Sequence, residues 1–381
     1  MASQSRNLTL FSKLYEINWL LITLIYLIGG IGVAMIFAAT DGVWSHGAYQ
    51  HFLRLILAGG IMFIVAIMDI KIWYALAYPI FAAALILLTA VDFFGVSVNG
   101  SQRWLDLQFM RLQPSEITKL ALILALARFY NDLDSEQVSH PLGLLIAVLI
   151  IFIPVQFVLR QPDLGTTLML FATGIAIVFL AGINWRVIFG SALAAIVLIP
   201  LFIRFGLQEY QRSRILTFFD PSRDPTGAGY HITQSKIALG SGGVSGKGFM
   251  AGTQRQLEYV PENRTDFIFT VIGEEFGLIG GVITMVLYAA LMFVCIRMAL
   301  QCKHLFSQLV ILGLTTTFAL YVFINLGMVM GLLPVVGVPL PLISYGGTVI
   351  LTVMFGFGLV LSAHLHRNSE LPLGRRRPGS R

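Results

Sequence analysis

An all-α polytopic membrane protein of about ten transmembrane helices is the fold this sequence predicts, on three observations. Of 381 residues, 57% are hydrophobic and 12% charged, where an ordinary soluble domain carries about 25% charge. The mean hydropathy is +0.82. The apolar residues fall into runs of roughly 20, the length that carries a helix across a ~30 Å hydrocarbon layer. Lipid therefore covers most of the surface, which excludes a soluble globular enzyme, a disordered chain, a collagen and a coiled coil. A net charge of +6 would suggest nucleic acid in a soluble chain, but here it is read against a membrane and no nucleic-acid partner is expected.

The first 18 residues are polar, and the run that follows is too long for a signal peptide and lacks its small-residue cleavage site, so it is expected to remain as the first span. Spans are predicted at Trp19 to Ala39, Phe52 to Met68, Ile72 to Val91, Ile117 to Tyr130 and Pro141 to Leu159. Five more follow at Leu164 to Ile183, Val187 to Phe205, Phe267 to Leu300, Leu305 to Leu333 and Leu342 to His364. The fourth is the weakest. It is short and contains Lys119, so it crosses only if residues 114–117 form its first turn and the lysine is satisfied inside the bundle. Residues 1–366 are expected to form one integral-membrane domain, with 206–266 a long extracytoplasmic loop between helices seven and eight. Residues 367–381, with Arg375 to Arg377, read as a basic cytoplasmic tail attracted to anionic lipid. Cys295 and Cys302 lie at the end of one apolar run, so no disulfide framework is expected.

Orientation follows from the positive residues. With the N-terminus in the cytoplasm, twelve Lys and Arg lie inside and six outside once 206–266 is set apart, because long segments translocate regardless of charge. Both termini are therefore expected in the cytoplasm. Residues 131–140 dissent weakly: they are assigned inside yet carry Asp132, Asp134 and Glu136 without Lys or Arg. Two polar segments face outward, 92–116 and 206–266. The second holds aromatic residues and alternating charges, a composition unlike a disordered spacer.

Several familiar motifs fail. GSGGVSGKG at 240–248 has Ser241 and Gly248 where a phosphate loop needs glycine and a hydroxyl residue. The histidines lack zinc-site spacing, and no Gly-x-Ser-x-Gly elbow is present. What remains is a set of acids and bases at outer helix ends. Glu116 and Asp163 each follow a proline near a helix start, where exposed N–H groups favour negative charge, and simple capping explains both equally well. Lys119, three residues after Glu116, shares its helix face, which reads either as a structural ion pair or as part of a site. Asp266 precedes an apolar run and reads as an N-cap or as a catalyst. Glu274 and Glu275, deeper in that run, need a function or a partner. Arg212, Arg214, Arg223, Lys236, Lys247, Arg255 and Arg264 bring cations near the headgroups, suited to phosphate or to a solvated face. Trp104, Phe218, Phe219, Tyr230 and Tyr259 read as interfacial anchors.

Five segments together carry a resemblance over nearly the whole chain. They are RWLDLQFMRLQPSEITK (103–119), RQPDLGTT (160–167), the stretch from YQRSRILTFFDPSRDP to GGVSGKG (210–248), PENRTDFIFTVIGEEFGLIGG (261–281) and LLPVVGVPLPLISYGGT (332–348). The sequence is similar to the shape, elongation, division and sporulation family, the bacterial membrane glycosyltransferases that polymerise peptidoglycan. QSKIALGSGG and VVGVPLPLIS resemble its elongation branch more than its division branch. The resemblance implies a ten-helix inner-membrane protein acting on lipid II and maintaining cell shape. It also implies as partners a class B penicillin-binding transpeptidase and the other membrane proteins of the elongation complex. It makes Asp266 essential, with Asp163, Glu116 and Lys119 also needed.

The chemistry agrees with the residues. A sugar hydroxyl attacks an anomeric carbon while a lipid diphosphate leaves, which calls for a carboxylate base and positive charge at the phosphates. Asp266 is assigned as base, Lys119 with Arg103, Arg111, Arg212, Arg214 and Lys247 as substrate-binding cations, and Asp163 with Glu116 as organisers. A divalent cation, Mg or Mn, held by Asp163 or Glu116 would replace part of the cationic role. Two other classes stay open: a lipid II flippase, which Pro154, Pro200, Glu274 and Glu275 would suit, and a non-catalytic scaffold for a transpeptidase.

Overall fold

The computed structural model describes residues 10–44, 47–98, 101–106, 111–134, 136–206, 209–220, 224, 227–253 and 264–369. Arg223, Arg255, Tyr259, Glu262 and Arg375 to Arg377 lie outside the described residues. The chain begins with α1 (Leu10–Glu16), α2 (Trp19–Ala39), α3 (Ala48–Ile67) and α4 (Ile70–Phe94). An antiparallel three-stranded sheet follows, β1 (Val96–Val98), β2 (Ser101–Asp106) and β3 (Arg111–Leu112), in the order β1-β2-β3. Then come α5 (Pro114–Asp132), α6 (Pro141–Arg160), α7 (Leu164–Leu180), α8 (Trp185–Phe205), α9 (Glu209–Phe219) and α10 (Ala228–Ser241). The bundle closes with α11 (Ile268–Leu300), α12 (Leu305–Val329) and α13 (Gly347–Leu365). Ten of these helices run where ten spans are expected, and among the described residues seven are long and apolar enough by themselves to cross a membrane.

α5 does not qualify by apolarity, and its surroundings explain why it can still cross. It packs against α4, α6, α7, α12 and α13, and residues on every face of it are buried, Glu116 and Lys119 included. Protein rather than lipid is its solvent, so its charges need partners in the bundle and not an apolar exterior. It begins at Pro114, which has no N–H to leave unsatisfied at a first turn.

The stretch 206–266, expected as one long loop, includes the helices α9 and α10 among its described residues. On α10 the buried Ile232, Ser235 and Ala238 recur at helical spacing on the face that meets α11 and α12. Ser235 Oγ donates to Val329 O at 2.7 Å. The last span is also shorter than predicted. Residues 330–346 form a largely buried loop in which Pro334, Pro339 and Pro341 deny the helix its N–H donors. Leu342 stands at φ 67°, so the helix starts at Gly347 and not at Leu342.

The glycine-rich 242–248 acts as a splint. α11 breaks at Gly277 (φ 64°, ψ −157°), which would strand backbone groups in an apolar setting. Lys247 N and Gly248 N donate to the carbonyls of Glu274 and Glu275 at 3.0 and 2.9 Å, while Leu278 N and Ile279 N donate to Gly243 O and Val244 O at 2.9 and 3.1 Å. Two opened helical bonds are thus replaced by four to the loop. A side chain would prevent this approach, since a Cβ at Gly246 (φ 79°) would lie 2.2 Å from Glu275 O. Gly246→Ala is therefore expected to lower the melting temperature in detergent, with backbone strain alone costing about 1–3 kcal/mol. Gly240→Ala, which meets nothing within 4 Å, is the control; equal melting of the two variants would refute the splint.

Candidate active site

The N-terminal end of α5 carries a closed acid-base cluster. Lys119 Nζ donates to Glu116 Oε1 at 2.7 Å and to the hydroxyl of Tyr321 on α12. That hydroxyl donates in turn to Glu116 Oε2 at 2.5 Å, and Thr352 Oγ1 of α13 reaches the same oxygen at 3.3 Å. Glu116 is 4% and Lys119 2% exposed. The cavity beside them measures about 40 Å³, room for about one water and no sugar. The cluster can therefore organise a site but cannot itself receive the substrate.

Asp163 continues the network at the start of α7. It is the N-cap, accepting from Thr166 N at 3.0 Å, and Thr166 Oγ1 donates to its other oxygen at 3.0 Å. Gln113 Nε2 donates to it at 3.4 Å, which ties it to the residue capping α5. Arg103 completes the shell with Nη1 3.4 Å from Asp163 Oδ2 and Nη2 donating to Pro162 O at 2.7 Å. The capping expected from the sequence is present, and the same carboxylate also pairs with Arg103. The glycine of PDLGTT serves packing here, since a Cβ at Gly165 would lie 2.7 Å from Val336 O.

Asp266 sits in the turn that enters α11, and the N-cap position belongs to Phe267, which makes no side-chain cap bond. The turn is held from two sides. Asn325 Nδ2 on α12 donates to Asp266 O and to Val338 O, both at 2.7 Å, and Ser344 Oγ donates to Thr265 O at 2.6 Å. Asp266 Oδ2 is 3.4 Å from where a Cβ of Gly337 would be. Tyr321 and Asn325 lie four residues apart on one face of α12, about 6 Å along its axis. One helix face thus carries contacts to both the Glu116–Lys119 cluster and the Asp266 turn.

The other predicted cations divide. Arg214 Nη1 donates to Val335 O at 3.3 Å, beside the Gly337 loop. Arg111 pairs with Asp106 at 3.7 Å in the β2–β3 hairpin, with both side chains largely exposed, and Arg212 is exposed on α9. Lys247 is drawn into the splint, where Nζ meets Glu274 Oε1 at 2.7 Å and Thr253 Oγ1 at 2.8 Å. Its charge, read from sequence as available to substrate, is balanced by Glu274. That contact also supplies the partner Glu274 requires. Sequence reasoning missed Tyr321, Thr352 and Asn325. Asn325, fully buried within an apolar span, was the detectable signal, because a polar side chain at such depth needs partners.

A divalent cation does not fit at Asp163 or Glu116. The oxygens of both carboxylates already accept from nitrogen or hydroxyl donors, and the described residues contain no group of three or more His, Cys, Asp or Glu that could hold a metal ion.

Fold and site define a polytopic helical membrane protein with a buried acid-base centre at one end of its bundle. The chain belongs to the FtsW, RodA and SpoVE family of cell cycle proteins, whose family model matches residues 14–369. The peptidoglycan glycosyltransferase MrdB of Escherichia coli (strain K12) is 46% identical over 308 residues, covering 81% of this chain and 82% of that one. A probable peptidoglycan glycosyltransferase FtsW of Trichlorobacter lovleyi is 34% identical over 359 residues, 92% of this chain and 93% of that one. Among solved structures, a chain of a peptidoglycan synthase complex described for its coordination of polymerization and crosslinking aligns with TM-score 0.82 at 30% identity. It covers 93% of this chain and 99% of its own. The Rod shape determining protein RodA of Thermus thermophilus aligns with TM-score 0.71 at 26% identity, with the same coverage.

Proposed function

We propose that this chain is a peptidoglycan glycosyltransferase that polymerises lipid II into glycan strands during cell elongation and releases undecaprenyl diphosphate. The observation that carries the reading is the 46% identity, over most of both chains, to a relative named for that activity. The acceptor sugar hydroxyl attacks the anomeric carbon of the donor, its proton passes to the Asp266 carboxylate, and the bond from that carbon to the diphosphate oxygen breaks with the electron pair leaving on the diphosphate. Asn325 and Ser344 hold the turn so that Asp266 need not reorganise. Glu116, Lys119 and Asp163 organise the walls, and Arg103, steered by Asp163, brings a guanidinium to the rim. Residues 1–366 act as one membrane domain, followed by the basic tail.

Its place is the bacterial inner membrane with both termini cytoplasmic, which the twelve-to-six charge count supports. Its partners are a class B penicillin-binding transpeptidase and further elongation-complex membrane proteins, supported by the likeness to a chain of a synthase complex. A flippase would use a broken span open to a polar pathway, whereas the break in α11 is closed by the 242–248 splint and Glu274 is engaged by Lys247. The test supplies purified protein, alone and with its transpeptidase, with labelled lipid II, with and without a chelator. Polymer on a gel is the expected result, and its absence in both preparations would refute the assignment.

A further inference from the structure

The cations around the outer end of the bundle are not equally available. Arg103, Arg111, Lys119 and Lys247 each have a carboxylate within 4 Å: Asp163, Asp106, Glu116 and Glu274. Arg54 and Arg264 have none among the described residues. The Arg54 guanidinium lies over the Tyr345 ring, with Cζ 4.7 Å from its centroid. Among the described residues Arg264 donates only Nε, to Ala39 O at 3.3 Å, which leaves the two terminal nitrogens of its fork. Arg264 and Tyr345, with Gly47 and Gln50, line a cavity of about 230 Å³, several times the space beside Lys119.

This cavity shares its wall with the Asp266 turn. Tyr345 N donates to Arg264 O at 2.8 Å, and Ser344 Oγ donates to Thr265 O at 2.6 Å. Asp266 is two residues from Arg264, so their Cα atoms are at most about 7 Å apart. Tyr345 is fixed by its hydroxyl bond to Gln50 Oε1 and by the Arg54 stack. α3 further clamps this loop through His51 Nε2 and Leu342 O, 3.1 Å apart. The Arg264 guanidinium in the wall, with that of Arg54 stacked on the wall residue Tyr345, suits an anion that accepts paired hydrogen bonds.

We infer that Arg54 and Arg264, with Gln50 and Tyr345, form a subsite for a lipid-borne diphosphate, holding the diphosphate of the lipid-linked sugar beside Asp266. The inference rests on the polymerase reading and adds where the anionic part of the substrate is held. Its shared chemistry is lipid phosphate, and the other source of that chemistry is a bulk phospholipid headgroup. The test uses the full chain in nanodiscs of phosphatidylcholine and follows a fluorescent polyprenyl diphosphate by anisotropy. Arg54→Gln and Arg264→Gln are each expected to weaken binding about tenfold, the loss of a charge-assisted contact at a solvent-open site. Arg367→Gln, past the far end of α13 where Nη1 lies 3.9 Å from Glu16 Oε2, is expected to change it less than about twofold. Arg54→Lys and Arg264→Lys should recover part of the affinity, which a folding defect would not allow.

Unchanged affinity in both glutamine variants overturns the subsite. Competition by nanodiscs containing phosphatidylglycerol that equals competition by unlabelled polyprenyl diphosphate assigns the cavity to bulk lipid and overturns the inference too. Glycan synthesis by the parental protein is read in parallel. A parental protein that makes no glycan rejects the polymerase reading, whereas one that makes glycan while the variants bind normally rejects the subsite alone.

Discussion

Asp266→Asn is expected to abolish glycan polymerisation from purified lipid II while leaving the protein folded and able to bind its transpeptidase. Asn has nearly the same size, and the bonds that hold the turn reach backbone atoms, Asn325 to the carbonyl of residue 266 and Ser344 to that of Thr265. The start of α11 is safe as well, because Phe267 holds the cap position. What the amide lacks is the capacity to take the proton of the attacking hydroxyl, a contribution worth about 10² to 10⁴ in rate. A folded Asn variant that extends labelled glycan strands at the parental rate would remove Asp266 as base. Asp163 and Glu116 are poor substitutes, since their oxygens are already engaged by donors.

Lys119→Ala is expected to cost stability on the order of 3–5 kcal/mol, the usual consequence of removing one partner from a buried pair. Glu116 would keep Tyr321 and Thr352 as donors but lose the cation that balances it. Lys119→Arg should also destabilise, because a planar guanidinium needs more room than the roughly 40 Å³ beside the ammonium. Melting in detergent measures both. A combined Glu116→Gln and Lys119→Met chain separates packing from function: it is expected to regain much of the lost stability, since replacing both charges leaves no orphan, yet to remain inactive. Parental melting in Lys119→Ala would show the pair to be incidental, and an active double variant would show it to be structural only.

The ten spans were legible in one dimension because hydropathy and helix starts are local: an apolar run long enough to cross, Pro114 and Pro141 at first turns, and Asp163 within reach of its own Thr166 amide. The family motifs located Glu116, Lys119, Asp163 and Asp266 in the same way, as short strings of neighbouring residues. The burial of α5 on all faces depends on five other helices, and the Lys247–Glu274 contact joins residues 27 apart. The 242–248 splint needs the break at Gly277 as well as the glycines that fit it. Tyr321 meets Glu116 across 205 positions and Tyr345 meets Gln50 across 295, and no periodicity in the chain records such pairs. Periodicity reports which face of a helix is apolar, whereas the packing of helices decides which polar groups meet. That packing balances the charge of Lys119 and Lys247 and, among the described residues, leaves Arg54, stacked on Tyr345, and Arg264, in a cavity wall, without a carboxylate partner.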